Sequence, residues 1–436
     1  MLKRAIFMVF TCMLVVTGFG IAQALEEIDG LVPYVDGITG QGTYVNPGGI
    51  GDSLIYGYYN VRGNLNLFNI VNTSSVDGAK VRIVFRNAKN SKECLDYSIC
   101  LSKGDVYTAF LVDSGTTAAV CPLDIKTLTA PTLPATCQPF KYEGAGGVAG
   151  VTADDCREGY FEVIGMTTIP AYDSNAALTV RQAIPMATES DCRDWAPSAT
   201  SYDAGNMLLG NNTIFDMSAL ATYSANAVAL ANTAIDPVVI TTGVEKTIVE
   251  AMATSNPGAC DLADFIFTKS DVISPYDLMA GIGGETEMVI TFPTRLACHP
   301  TQQDDMFPCL DTISASACKS WCTPIGIDVW DDNEHSLDIS DFSPSVGRCL
   351  AHEVNVVKLG GSQIWNSTVA NTLTVGSFDL GWVDLDLVAG ESDHESCYGS
   401  YCSNGLPAIA LTTQSFVGGA ASYMLPAAYK TSLEVD

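Results

Sequence analysis

The chain has 436 residues and a formal net charge of −28, from 49 acidic and 21 basic residues. That sign argues against a protein that grips nucleic acid or an anionic membrane surface, since both need a basic face. With 47% hydrophobic and only 16% charged residues, it is a folded chain with an acidic skin rather than a disordered acidic tail.

The N-terminus reads as a secretory signal peptide over 1–24. Lys3 and Arg4 form its positive region, AIFMVFTCMLVVTGFGI its apolar region, and Ala22-Gln23-Ala24 a small-x-small cleavage site, so the mature chain is expected to start at Leu25. Cys12 lies too early in the apolar region, and behind residues too bulky, to be an acylated cysteine. Without Lys3 and Arg4, 19 basic residues face 49 acidic ones, a net of −30. No later apolar run reaches the roughly 18–20 residues of a membrane-spanning helix. The Gly-rich segment 26–49 suits a flexible arm able to pair with a neighbour's sheet edge.

Period-two patterns dominate the rest. In AKVRIVFRNA, Val81, Ile83 and Phe85 alternate with Arg82, Val84 and Arg86. In GETEMVITF, Met288, Ile290 and Phe292 share a face; in WVDLDLV, Val383, Leu385 and Leu387 oppose Asp384 and Asp386. These predict half-buried strands. Further strands are expected at 53–60, 63–73, 105–113, 159–168, 224–232, 349–358 and 406–416, with Gly- and Pro-rich turns between them. One short helix is expected over 244–254, where Val244, Ile248, Val249 and Met252 share a face. The fold class is therefore mostly β, with antiparallel β-sandwich domains, Ig-like or jelly-roll-like. So long a chain exceeds one sandwich. Two domains are expected, 25–195 with a disulfide-tied loop at 114–158, and 196–436, joined through the Ser/Thr/Asn/Ala-rich passage near 190–215.

Fifteen cysteines are present, and fourteen remain once Cys12 leaves with the signal, enough for up to seven disulfides in an oxidising compartment. Local spacing favours Cys94–Cys100 and Cys397–Cys402 as small clips, and Cys121–Cys137 as the closure of a Pro-rich loop. No C-x-x-C or paired zinc knuckle is present, and CKSWC lacks a matching partner.

Several blocks occur together: GDSLIYGYYNVRGNLNLFNIVNT (51–73), VRIVFRNAKNSKECLDYSICLSKGDVYTAFL (81–111), GYFEVIGM (159–166), YSANAVAL (223–230), ETEMVITFPTR (285–295), DFSPSVGRCLAHEVNVV (341–357) and GLPAIALTTQSF (405–416). Their wording and order resemble an uncharacterised family of secreted or cell-surface bacterial proteins. The resemblance implies export and carries no catalytic residue. This chain departs from the family's pattern in its many cysteines and in lacking a proline run after FSPS. The family's acidic loop corresponds to Asp331–Glu334, which implies a solvated hairpin tip there.

Candidate sites are few. VWDDNEHSLD (329–338) crowds carboxylates together, and Asp328, Asp331, Asp332, Glu334 and Asp338, with Asp341 beyond, form a calcium candidate if the loop curls. Against this, Asp331 and Asp332 are adjacent and no glycine makes the sharp turn. In FLVDSGTTAAV, Asp113 sits in the local pattern of an aspartic-protease loop, but that chemistry needs a second carboxylate loop and none is found. A turn with Asp113 and Gly115 is the plainer reading. His299, His335, His352 and His394 form no metal-spaced pair, and no G-x-S-x-G, P-loop or dinucleotide fingerprint occurs. Tyr56, Tyr58, Tyr59, Trp321, Trp330 and Trp382 read as core packing first and as a sugar-stacking platform second.

These readings lead to a non-enzymatic extracellular or bacterial cell-surface protein, structural or adhesive. Its expected partners are other surface proteins or copies of itself, and it self-assembles into filaments or a layer. No cofactor is expected apart from the calcium candidate. The alternative is a secreted hydrolase or carbohydrate-binding module with a calcium site near 328–341. An outer-membrane barrel fits poorly, because no strand sustains lipid-facing alternation and the chain ends in Asp436.

Overall fold

Successive side chains of a strand point to opposite faces, and this chain buries both faces of its longest strands. The computed structural model describes residues 43–123, 128–129, 137–169, 205–233, 247–249, 258–299, 307, 323–337, 339, 342–343, 348–388, 395–398 and 401–435. Four large sheets organise them.

Sheet I orders its strands Tyr44–Asn46, Val228–Ala231, Ser53–Asn60, Glu158–Ile169, Gly78–Asn87, Glu93–Leu101 and Leu128–Thr129. Sheet II orders Ala221–Asn226, Leu208–Asp216, Asn64–Asn72, Val106–Asp113, Ala118–Pro122 and Gln138–Pro139. Sheet III orders Phe342–Ser343, Ala370–Leu373, Val354–Leu359, Glu285–Thr291, Ile409–Phe416 and Ala421–Pro426. Sheet IV orders Ser336–Leu337, Gly326–Asp331, Leu380–Asp386, Asp271–Asp277 and Ala428–Lys430. Pairing is antiparallel except between Val354–Leu359 and Ala370–Leu373, which run parallel.

Three apolar cores lie between these sheets, in the layer order II, I, III, IV. Val81, Ile83, Phe85 and Phe161 of sheet I meet Phe68, Tyr107 and Leu111 of sheet II. Met288, Ile290 and Val357 of sheet III meet Val329, Val383 and Leu385 of sheet IV. The third core joins the two sandwiches: Ile55, Val84 and Tyr160 of sheet I face Val289, Val356 and Leu411 of sheet III. Each fully buried large apolar side chain contributes about 1.5–3 kcal/mol.

The half-buried strand expected in AKVRIVFRNA (79–88) is observed as Gly78–Asn87 and is buried along its whole length. Its first face packs as the alternation predicts. Its second is covered by the other sandwich, so Arg86 needs a buried partner, and its Nε donates to Glu162 Oε2 at 2.7 Å. The sandwiches are also tied by hydrogen bonds to backbone carbonyls. Val354 N donates to Ala88 O at 2.9 Å, and Thr291 Oγ1 to Gly57 O at 2.6 Å.

The boundary between the two β parts falls later than 196. Leu208–Asp216 pairs along its full length with Asn64–Asn72 in sheet II, and Val228–Ala231 pairs with Ser53–Asn60 in sheet I. These two strands, with Ala221–Asn226 between them, complete the first sandwich, and the helix Ala259–Phe267 precedes the strands of the second. Of the expected helix 244–254 only 247–249 are described, where Ile248 and Val249 are helical and buried.

Disulfides fasten the loops. Cys121–Cys137, Cys397–Cys402, Cys94–Cys156 and Cys260–Cys298 are bonded. The Cys94–Cys100 clip is corrected to Cys94–Cys156. Cys94 and Cys100 both belong to the strand Glu93–Leu101, and six extended residues span about 20 Å, far beyond the reach of a disulfide. Cys100 and Cys349 are also disulfide-bonded. Cys397 and Cys402 succeed as a clip because they are direct cross-strand partners in a hairpin.

Candidate functional site

The outer face of sheet IV carries aromatic and acidic side chains of differing exposure, Asp328 exposed, Trp382 partly exposed and Asp384 buried. Alternation sends Val329, Val383 and Leu385 into the core, so Asp328, Trp330, Trp382 and Asp384 take the other side. Register then sets them in rows. Pro275, Trp382 and Trp330 are neighbours across three strands, and Ile273, Asp384 and Asp328 form the next row. The two indoles lie parallel, with ring centroids 5.8 Å apart and 6° between planes, and Trp382 is 38% exposed. Gly381 makes the close approach possible: a Cβ there would stand 1.8 Å from Trp330 O. Tyr276 Oη donates to that same carbonyl at 3.0 Å and fixes the strand from the next position.

Charge surrounds the pair. Lys430 Nζ donates to Asp271 Oδ1 and to Asp384 Oδ2, each at 3.0 Å. Asp384 Oδ1 has no partner. Burial pushes the Asp384 carboxyl up from its ordinary value, and the Lys430 contact only partly opposes this.

The acidic hairpin tip lies at one end of this face. Asp331 Oδ1 accepts from Asn333 N at 2.9 Å and His335 N at 2.7 Å, and Oδ2 lies 2.8 Å from His335 Nδ1. Desolvation works against ionisation of Asp331, but the His335 and Asn333 hydrogen bonds outweigh it and hold the carboxyl below its usual range. Glu334 takes φ +68°, completing the turn. Asp331 is thus the organiser of its own hairpin. Asp332 Oδ1 accepts from Asn333 Nδ2 at 2.7 Å, and Asp328 stands exposed on the strand before. These carboxylates do not converge on one point; Asp338 and Asp341 lie outside the described residues. Among the described residues, the metal-ligating atoms that do converge belong to Glu395, Cys397 and Cys402, whose two sulfurs are bonded to each other.

The remaining sequence candidates separate. Tyr56, Tyr58 and Tyr59 are core residues, each no more than 2% exposed, and Trp321 lies outside the described residues. Asp113 is a turn residue. Its Oδ1 accepts from Gly115 N at 2.8 Å, Ser114 N donates to Thr117 O at 2.9 Å, and Arg157 pairs with its other oxygen. His299 is buried against Asp264, 2.8 Å away. Burial, with Arg295 and Lys89 nearby, pushes His352 down to about 4. His394 lies outside the described residues.

The interior holds charges that sequence reading missed. Glu158 accepts from Tyr58 Oη and Thr368 N, both at 2.9 Å. Glu287 accepts from Ile364 N at 2.7 Å and Trp365 N at 3.2 Å, with Lys358 at 3.7 Å. Desolvation raises Glu287 to about 7 against the pull of Lys358 and those two N–H groups, and raises Glu353 to about 7 against Arg295. Nothing in an isolated strand marks such residues, because the face that buries them comes from the other sandwich. No family model, curated protein or solved structure is similar to the chain.

Proposed function

We propose that the chain is an extracellular or cell-surface structural and adhesive protein, working by contact with other surface proteins or copies of itself. The observation that carries this reading is the outer face of sheet IV, where a parallel indole pair is held at fixed register on a rigid sheet and partly exposed. Tryptophan anchors of this kind dominate contact energetics, because they present large apolar area with few rotatable bonds. The disulfides and the resemblance to exported bacterial proteins support the compartment.

Double substitution Trp330→Ala/Trp382→Ala tests the reading. Adherence of the purified protein to the producer's surface, and self-association by analytical ultracentrifugation, are the measurements. At least a tenfold weakening of one of them is expected, on the order of a single aromatic hot spot. Equal adherence and equal association in variant and wild type would refute it. The rival reading, a secreted hydrolase or carbohydrate-binding module with calcium near 328–341, is favoured by the position of the indoles beside the Asp331 hairpin. Calorimetric titration with calcium separates the two: stoichiometric binding lost in Asp331→Ala supports the rival.

A further inference from the structure

Three turns meet at one end of the molecule. Residues 217–220 close the hairpin between Leu208–Asp216 and Ala221–Asn226 of sheet II, and 417–420 the hairpin between Ile409–Phe416 and Ala421–Pro426 of sheet III. Residues 278–284 lead from Asp271–Asp277 of sheet IV into Glu285–Thr291 of sheet III. The turns touch: a Cβ on Gly419 would stand 2.6 Å from Ala219 O, and one on Gly283 3.6 Å from Val417 N. No residue of 217–220, 278–284 or 416–420 is ionisable. On this apex Leu220 is 83% exposed, Val417 65%, Met217 61% and Ile282 38%. Single exposed apolar residues are ordinary, but four on adjoining turns make a patch of the kind that marks an interaction site.

The backbone holds two of these side chains out against its own preference. Leu220 has φ +55° and Val417 φ +51°, a left-handed conformation that glycine adopts freely and larger residues, β-branched ones above all, resist. Such strain persists where the surroundings over-determine it, and it concentrates at functional sites. The N–H groups of the apex are meanwhile satisfied within it. Ser218 N and Ala219 N donate to Asp216 Oδ1 at 2.8 and 3.0 Å. Ile282 N and Gly284 N donate to Met279 O, Gly283 N to Ala280 O and Ala420 N to Val417 O, at 3.1 to 3.4 Å.

These features select what covers the apex. Anchors for a protein partner favour Trp, Tyr and Arg and under-represent Leu and Val, and paired N–H groups leave few donors for directional contact. A hydrocarbon layer asks for the opposite: aliphatic side chains, and backbone groups that need no outside partner. Tyr423, 38% exposed, follows at the third residue of Ala421–Pro426, a placement that suits the headgroup layer. Charge then chooses the lipid. Asp332, Glu334 and Asp379 stand exposed at the same end of sheet IV, where Leu278 N donates to Asp379 O at 2.7 Å and Asp332 N to Leu380 O at 3.1 Å. They repel an anionic surface and a second copy of this acidic chain, and they complement the outermost trimethylammonium of a choline headgroup. We propose that this three-turn apex inserts into the interfacial layer of an uncharged, phosphatidylcholine-type lipid surface, with its acidic flank facing the choline groups.

The test uses the full mature chain and phosphatidylcholine vesicles, read by co-sedimentation. Wild-type protein is expected to bind. Leu220→Gly and Val417→Gly remove an apolar side chain and relieve the left-handed backbone, so Tm should hold in both. Vesicle partitioning should nevertheless weaken, by roughly tenfold in Leu220→Gly and roughly fivefold in Val417→Gly, in line with the transfer of one aliphatic side chain. Replacing part of the phosphatidylcholine with phosphatidylglycerol should weaken binding, and added salt should restore it. Absence of vesicle binding, unchanged partitioning in both glycine variants, or tighter binding to the anionic vesicles would each overturn the proposal. Self-association that falls in the glycine variants while no vesicle binds would give the apex to a second copy instead. The apex shares no residue with the indole pair, so each of these failures leaves the contact reading on sheet IV standing.

Discussion

The seam between the sandwiches and the outer face of sheet IV are built from the same residue types, with opposite consequences. At the seam, Glu287 and Glu353 are sealed, and desolvation raises each to about 7. On the outer face, desolvation of Asp331 is outweighed by the hydrogen bonds from His335 and Asn333 together, which hold it below its ordinary value. Trp365 is fully buried, whereas Trp382 keeps 38% of its surface in water. Residue type alone therefore does not separate structural from recognition roles. How far each side chain is buried does, as the buried Asp384 on the same outer face shows.

The sharpest way to break this comparison is to truncate one tryptophan from each region. Trp365→Ala should cost about 3–5 kcal/mol, the usual range for emptying a large aromatic site in a packed core. Trp382→Ala should cost no more than about 1 kcal/mol, since much of its area is already hydrated. Urea unfolding at neutral pH measures both. Similar losses at the two sites would mean that the outer indole is a core residue, and the contact reading would lose its support.

The buried carboxyls give the next effect, in pH. Glu287 and Glu353 both have folded values raised to about 7 from an ordinary 4.5. A raised value means that the folded chain holds the proton more tightly than the unfolded one. Their contribution is therefore fully present below about pH 4.5 and is lost as pH rises through about 7. Each is worth up to about 3 kcal/mol across that window. Thermal unfolding should show a lower Tm at pH 8 than at pH 5. The acidic skin also repels itself less at low pH, and raised salt screens that long-range part. Glu353→Gln should flatten the remaining slope. A slope unchanged in Glu353→Gln and Glu287→Gln would place its origin on the surface.

These contrasts also set the limits of sequence reading. The face of 78–87 carrying Val81, Ile83 and Phe85 is legible because its period is local and its covering strands are near in sequence. The burial of Val84 and Arg86 is not, since it depends on sheet III, some two hundred residues away. Cys397 and Cys402 are legible as a hairpin pair, but Cys94 and Cys100 mislead because spacing carries no information about extension. The passage before 205 looks like a joint by composition, yet Leu208–Asp216, alternating along its length, returns to sheet II. Six aromatic residues are equally eligible for a platform. Only the register that sets Trp330 opposite Trp382 singles out a pair, and register follows from pairing rather than from any one strand.

The smallest effect tests charge in the same two regions. Lys430 is exposed and pairs with Asp271 and Asp384 at 3.0 Å, while Lys358 is buried 3.7 Å from Glu287 and donates to Trp365 O at 2.8 Å. Solvent and salt screen the outer pairs, so Lys430→Met should change stability by less than about 1 kcal/mol. Its larger consequence is expected in surface charge, because two carboxylates beside the indoles lose their counter-ion and adherence becomes more sensitive to salt. Lys358→Met leaves Glu287 without its cation beneath the seam and should push that carboxyl higher, steepening the loss of stability between pH 5 and 8. Paired pH-dependent unfolding curves read both variants. A steeper curve for Lys430→Met than for Lys358→Met would reverse the assignment of inside and outside on which the comparison stands.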